Sequence, residues 1–267
     1  MAITAVIVAA TTTTSVATTT TAIATTKSAP HSTTSSSGYS GSGGRGSGSG
    51  QLAGMAQDLP AYLLLLNPAD VFRILNVFSL DDVRRLMAWS NDTRIPLTFR
   101  AAGTSLSGQA VTSGVIVDIT RGAWDAIAIS HEGSVVRVGP GMVGSKVNDY
   151  LRKYGKKIGP DPASLAACMV GGIVANNASG MCCGVTQNTY HTLESLTFMV
   201  PNGVVIDSSL PNANDILVRT SPEIAEGLMA LKAEIEANTP LVEKIRRKYK
   251  IKNTVGYGIN AFLDYAA

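Results

Sequence analysis

The stretch PLTFRAAGTSLSGQA, Pro96 to Ala110, decides how this chain is read. Its first half has the composition of a short buried strand. Its second half brings Gly103, Thr104, Ser105, Ser107, Gly108 and Gln109 in close succession after Arg100. A strand that delivers glycines and hydroxyls into a tight turn points several backbone N–H groups in one direction. Small side chains let a ligand reach the main chain, and hydroxyls add further donors. The stretch therefore reads as an anion nest suited to phosphate or pyrophosphate, although the same residues also fit an ordinary glycine-rich turn. Two sharper motifs are excluded. No Gly-Lys-Ser/Thr follows, as a Walker loop requires, and Ser107 stands where a hydrolase nucleophile elbow around Ser105 needs glycine.

A second stretch repeats this chemistry. IGPDPASLAACMVGGIVANNASGMCCG runs from Ile158 to Gly184. Pro160 and Pro162 stiffen its approach, Asp161 and Ser164 are polar, and Gly171, Gly172, Gly180 and Gly184 remove side chains where backbone must come close. Asn176, Asn177 and Ser179 offer neutral hydrogen bonds. Together the two stretches suit one long ligand with a phosphate part and a flat polar ring.

Working outward, SLDDVRRLMAWSND reads as an amphipathic helix capped by Ser79, with Asp81 and Asp82 in its first turn. IPLTFR and GVIVDIT read as strands. WDAIAIS and SVVRVG read as a hairpin around His131, Glu132 and Gly133, and LESLTFMVPNGVVIDS as another turning at Pro201, Asn202 and Gly203. MVGSKVNDYLRKYG is a helix ended by Gly155. SPEIAEGLMALKAEIEAN is a helix with Ser221 as cap and Pro222 at its first position, and the basic helix LVEKIRRKYKIKN follows. The order predicts an α+β fold: a small α/β piece, then a piece with antiparallel pairs, without an internal repeat.

The 267 residues are 45% hydrophobic, enough for a sizeable core in one large domain or two small ones. A net charge of +3 is too mild to imply a nucleic-acid partner. No apolar run approaches the roughly 18 residues that span a bilayer. Residues 1–57 differ from the rest, being Thr/Ser low complexity followed by the Gly/Ser stretch GYSGSGGRGSGSG, with no acid and only Lys27 and Arg45 as cations. Such a leader is expected to be disordered, because it buries too little apolar surface to offset chain entropy. Its lack of acids and wealth of hydroxyls suit a transit peptide and a mitochondrial destination, its poverty in arginine argues against one, and plastid or cytoplasmic residence stays open. The expected division is 1–57 leader and linker and 58–267 folded domain, with a small subdomain over 58–123 and a larger one over 124–267.

Several tempting motifs have blander readings. GPGMVG, Gly139 to Gly144, matches the Rossmann glycine spacing, but Pro140 sits inside it and no strand ending in an acid follows about twenty residues on. A tight strand-to-helix turn is expected instead. Cys168, Cys182 and Cys183 do not have the spacing of zinc or iron–sulfur ligands and read as buried or loop thiols, with no metal site assigned. His131 and His191 read as hydrogen-bonded structural residues. Lys244, Arg246, Arg247, Lys248, Lys250 and Lys252 read as a solvated helix face.

The stretches PLTFRAAGTSLSGQA, GKKIGPDPAS, MVGGIVANNASGMCCG and RRKYKIKNTVGYGINAFLDY resemble the FAD-binding domain of the vanillyl-alcohol-oxidase, or PCMH, type. The nearest branch is the FAD and iron–sulfur D-2-hydroxyacid dehydrogenases, and the resemblance covers roughly residues 57–267. It implies two subdomains with noncovalent FAD between them. By position, it implies that backbone N–H groups from Arg100, Gly103, Thr104, Ser105, Ser107, Gly108 and Gln109 wrap the pyrophosphate. Asp161, Ser164, Gly171 and Gly172 would line the cofactor further along, and Asn177, Ser179 and Gly180 would lie beside the flavin and its ribityl chain. The implied reaction is oxidation of D-lactate or D-2-hydroxyglutarate, with electrons leaving to a quinone or cytochrome. Alternatives are an inactive fragment or another flavin oxidase of the same fold.

Two departures stand out. Family chains continue into a Gly-Ser-Glu-Gly-Thr-Leu-Gly element, a substrate domain with metal-binding and catalytic histidines, and a cysteine-rich iron–sulfur part. The sequence ends at Ala267 before any of these, so a C-terminally truncated domain is expected and no catalytic residue is assigned. In ADVFRILNVFSLDDV the usual short strand before the helix is shortened, which leaves the first strand of the small subdomain without its normal sequence.

Overall fold

The computed structural model describes residues 7–10, 19–30, 73–120, 122–252 and 258–265. The remainder of the leader, the Gly/Ser stretch and the expected domain start near Asp58 lie outside the described residues. The described chain is α+β and is organised around two sheets. From the leader come β1 (Ile7–Ala10) and β2 (Thr19–Pro30). The small sheet unit then contributes β3 (Arg73–Asn76), α1 (Leu80–Thr93), β4 (Leu97–Arg100) and β5 (Val115–Asp118).

β3, β5 and β4 form a three-stranded sheet in that order, parallel throughout, with Asn76, Asp118 and Arg100 in register at its carboxyl edge. Arg73–Asn76 thus supplies the first strand that the shortened sequence had left open. α1 forms as its sequence demands. Ser79 Oγ accepts from Asp82 N at 3.2 Å, and the Asp82 carboxylate accepts from Ser79 N and Phe78 N at 3.0 Å, which closes a reciprocal capping box at the start of the helix. Val83, Leu86 and Met87 fall on one face and are buried against Leu75, Leu97, Phe99, Val115 and Val117 of the strands.

The larger sheet follows. β6 (Ile127–Ser130) and β7 (Val135–Val138) make the first expected hairpin, and α2 (Gly144–Leu151) continues through a 3-10 turn to Gly155, whose φ of 63° ends it. Then come β8 (Lys156–Ile158), α3 (Val170–Ala175), α4 (Thr189–Thr192), and the second hairpin, β9 (Leu193–Met199) with β10 (Val205–Asp207). Helices α5 (Ala213–Thr220), α6 (Pro222–Ala237), α7 (Thr239–Tyr249) and α8 (Ala261–Asp264) close the described chain. Pro222 opens α6 as expected, but the Ser221 hydroxyl is spent elsewhere, accepting from Asn202 Nδ2 at 2.9 Å.

The strand order is β10-β9-β2-β7-β6, with β1 and β8 also pairing β2. This differs from the expectation of a leader without structure: residues 7–10 and 19–30 are strands, and β2 lies at the centre of the sheet. Its pairing is antiparallel to β9, with Ala22 opposite Phe198 and Ala24 opposite Leu196, and to β7, with Thr26 opposite Val136. A threonine-rich segment has the β-branched backbone preference for this. The facing edges of β7 and β9 hold donors and acceptors that the strand satisfies.

The two sheets are keyed together. Trp124 and Met199 are buried in the core of the small sheet although both lie beyond residue 123, and the Trp124 indole donates to Val77 O at 2.7 Å.

Candidate functional site

The loop from Ala101 to Gly114 leaves the carboxyl edge of the parallel sheet, the edge at which open α/β sheets hold ligands. Gly103 and Gly108 adopt φ of 66° and 80°, which turns the chain sharply. Inside the loop, Ser105 Oγ donates to Gln109 Oε1, Ser107 N donates to Ser105 Oγ at 3.4 Å, and Val111 N to Gly108 O at 3.1 Å. Among the described residues, the amides of Gly103, Thr104, Leu106 and Gly108 find no partner, and these residues are exposed. The Arg100 side chain folds back over the loop, where a Cβ on Gly103 would meet its Nε at 2.6 Å. Among the described residues Arg100 makes no ion pair, so a guanidinium and several free N–H groups share one surface. On the same face of β4, Thr98 is buried and its hydroxyl has no partner among the described residues.

The second stretch is built differently. The GPGMVG segment is the expected strand-to-helix turn: Gly139 N donates to Ala126 O at 2.7 Å and Gly141 N to Trp124 O at 2.8 Å. It then braces the second stretch, with Gly171 N donating to Pro140 O and Gly144 N to Cys168 O, both at 2.9 Å. Gly171 is buried, whereas Gly172 is exposed and a Cβ there would meet nothing within 4 Å. Asp161 turns inward. Its N–H donates to Ser179 O at 3.0 Å, and its carboxylate accepts from Cys182 N at 3.1 Å and Cys183 N at 3.2 Å. Gly180 packs so closely that a Cβ would stand 1.9 Å from Asp161 Oδ1. Ser164 O accepts from Ala167 N and Cys168 N, and Ser179 is buried.

Asn177 is a non-glycine residue at φ 44°, and its Oδ1 accepts from Tyr190 N at 3.1 Å. Strain of this kind is held by neighbours and clusters at ligand sites. Lys252, from the basic run, donates to Gly180 O. The rest of that run is solvent-exposed on α7 and just beyond it. His191 is exposed and its Nδ1 bonds Asn188 Oδ1 at 2.8 Å, and the His131 ring meets Ser130 Oγ at 3.2 Å. Cys168 and Cys183 are buried and Cys182 is exposed, all as free thiols. Burial pushes both buried thiols up, with the Asp161 charge adding to the effect at Cys183, so neither is a ready thiolate.

β4, which feeds the first loop, and α3, which carries Gly171 and Gly172, both have Cα atoms within 8 Å of β1. Both elements therefore border the same strand, residues 7–10. The free amides, the guanidinium and the uncovered backbone at Gly172 fit a dinucleotide: anion donors at one element, an approachable main chain at the other. Tyr190, Asn260, Asp264, Lys232 and Trp124 had no signal in the sequence, because their roles depend on contacts across long separations.

A family model described as FAD binding domain matches residues 73–209. D-2-hydroxyglutarate dehydrogenase of Haemophilus influenzae is 25% identical over 210 residues, covering 74% of this chain and 20% of that protein. Glycolate oxidase subunit GlcD of Escherichia coli K12 is 31% identical over 126 residues, 46% of this chain and 25% of that protein. D-lactate dehydrogenase of Archaeoglobus fulgidus is 25% identical over 153 residues, 57% of this chain and 33% of that protein. The chain thus spans a fifth to a third of the length of these relatives. Among solved structures, glucooligosaccharide oxidase from Acremonium strictum aligns with a TM-score of 0.47 at 14% identity, covering 60% of this chain and 38% of that one.

Proposed function

The chain belongs to the FAD binding domain family, and from that premise we propose that it is the FAD-holding part of an oxidoreductase that oxidises a D-2-hydroxy acid, D-lactate or D-2-hydroxyglutarate. The observation that carries this reading is the first loop, where unpartnered amides and the Arg100 guanidinium converge at the carboxyl edge of the parallel sheet. Arg100 and the N–H groups of Gly103 to Gln109 would hold the pyrophosphate. Gly172 gives the cofactor room along α3, and Asn177 presents its side-chain amide on the far side. Asp161, Ser179 and Gly180 act one step back, as the frame that keeps Asn177 and the following turn in place. When bound, FAD supplies the two-electron acceptor for a hydride leaving the carbon that bears the substrate hydroxyl. The chain's own residues bind and orient, and none is assigned as the base that takes the hydroxyl proton.

The names of the relatives support the substrate class. Two act on D-2-hydroxyglutarate and D-lactate by name, and glycolate, named for the third, is the simplest 2-hydroxy acid and the runner-up. The electron acceptor is proposed to be a quinone or cytochrome. On the acid-free leader we place the protein in the mitochondrion, which a leader–fluorescent-protein fusion tests: diffuse cytosolic signal contradicts it.

The test of the function is flavin uptake. Purified protein titrated with FAD is expected to quench flavin fluorescence to one equivalent and to release unmodified FAD on denaturation. The isolated chain is expected to show no turnover with D-lactate or D-2-hydroxyglutarate. Failure to take up FAD contradicts the reading at its root, and acceptor reduction by this chain alone contradicts the expectation of no turnover.

A further inference from the structure

The turn that carries α8 is fastened at two points. From one side, Lys232 on α6 donates through Nζ to Phe262 O at 2.7 Å and to Tyr265 O at 2.8 Å, capping the carbonyls of α8. From the other, Asp264 Oδ2 accepts from Tyr190 Oη at 2.9 Å and from Asn260 Nδ2 at 2.7 Å. Tyr190 is half-buried, with its ring edge-on to Tyr265 at 6.1 Å between centroids. Its backbone N–H is the donor that occupies Asn177 Oδ1. The preceding residue, Thr189, is buried and donates through Oγ1 to Ala178 O at 2.7 Å. Gly258 runs alongside, its absent Cβ 3.9 Å from both Asn177 Nδ2 and the Tyr190 ring. An unbroken path of contacts thus joins α6, the turn 258–265 and the strained Asn177.

We propose that Tyr190 is a positioning residue: by bonding Asp264 through its hydroxyl and Asn177 through its amide, it couples the turn 258–265 to the flavin-side loop 177–180 and holds Asn177 in its left-handed conformation for the cofactor. The inference rests on the flavin reading above and extends it to residues that the glycine-rich stretches do not include. The bond suits a latch. A phenol on a carboxylate is a charge-assisted hydrogen bond, and burial and the Asp264 acceptor both push the Tyr190 ionisation upward, so the donor proton stays in place across the physiological range. The peptide geometry of Asn177 is unfavourable by itself, which is why the loop needs an external hold.

Tyr190→Phe keeps the ring and removes the hydroxyl. Amide exchange of residues 177–184 in the flavin-free protein is expected to quicken about fivefold or more, while exchange of α1 and β5 stays at the wild-type rate. FAD is expected to bind about five- to tenfold more weakly, with a shifted visible flavin band and an almost unchanged melting temperature. Asp264→Asn retains an oxygen acceptor without its charge and is expected to fall between wild type and Tyr190→Phe, whereas Asp264→Leu is expected to match Tyr190→Phe. Wild-type exchange in Tyr190→Phe overturns the proposal. So does faster exchange with an unaltered FAD affinity and spectrum, since the hydroxyl would then only stabilise the turn. Wild-type protein that takes up no FAD refutes the functional reading instead, and the exchange measurement still decides whether the latch exists.

Discussion

The two glycine-rich loops have similar compositions and opposite constructions. The loop after β4 spends few of its polar groups on itself. Among the described residues its amides at Gly103, Thr104, Leu106 and Gly108 have no partner, and Arg100 lies over it without an acidic one. The stretch from Asp161 to Gly184 spends most of its groups internally. Asp161 holds the Cys182 and Cys183 amides, Gly171 is tied to Pro140, and Gly180 is wedged against Asp161. Within it Gly172 is exposed and Asn177 half-buried. Glycine therefore serves two ends here: at Gly103 and Gly180 it leaves room for the protein's own Arg100 and Asp161 side chains, and at Gly172 no described residue lies within 4 Å of the Cβ position.

That contrast makes unequal predictions, and substitutions can break it. Gly180→Ala should do the most damage, and through folding: a Cβ at 1.9 Å from Asp161 Oδ1 forces the turn apart, for an expected loss of about 3 kcal/mol. Denaturant melts check this, and a variant of wild-type stability would show that the loop is not closed on Asp161. Gly103→Ala should act on fold and ligand together. Its φ of 66° costs a residue with a Cβ about 1 kcal/mol of stability, and displacing the Arg100 side chain spoils the anion surface, so FAD affinity should fall by about 2 kcal/mol, roughly thirtyfold. An equal loss of stability and no loss of affinity would reverse the roles assigned to the two loops.

A position outside both loops sets the baseline. Asp207 on β10 is held below the usual carboxylate range: burial pushes it up, but the Ser209 hydroxyl and amide, Thr197 and the Arg137 charge together outweigh burial. Its folded ionisation therefore lies below its unfolded one. The stability it contributes is full above the unfolded value, near pH 4, and is lost as pH falls through the folded value. Asp207→Asn should cost about 0.5–1 kcal/mol at pH 7. It should cost progressively less as the melts are taken below pH 4, and should leave FAD affinity untouched at every pH.

What could be read in advance follows from the range of the interactions. α1 was legible because Ser79, Asp82 and the apolar spacing of Val83, Leu86 and Met87 are all local. Both hairpins were legible from their turn residues, as was the sharp turn of the loop after β4 from Gly103 and Gly108. β2 was not. A threonine-rich segment can be coil or strand, and the choice was made by the unpaired edges of β7 and β9, more than a hundred residues away in sequence. The role of Asp161 was half legible. Its polarity pointed to the site, but only the structure shows its carboxylate turned onto Cys182 and Cys183. Tyr190 and Asp264 were silent because their bond spans 74 positions.

The central claim is that uncovered backbone in both loops exists for one dinucleotide, and Gly172 tests it most directly because no described residue lies within 4 Å of where its Cβ would stand. FAD titrations of wild type and Gly172→Val, followed by flavin fluorescence and paired with melting curves, separate ligand from fold. The account predicts an unchanged melting temperature with FAD affinity reduced about tenfold or more. Equal affinities at equal stability would contradict it.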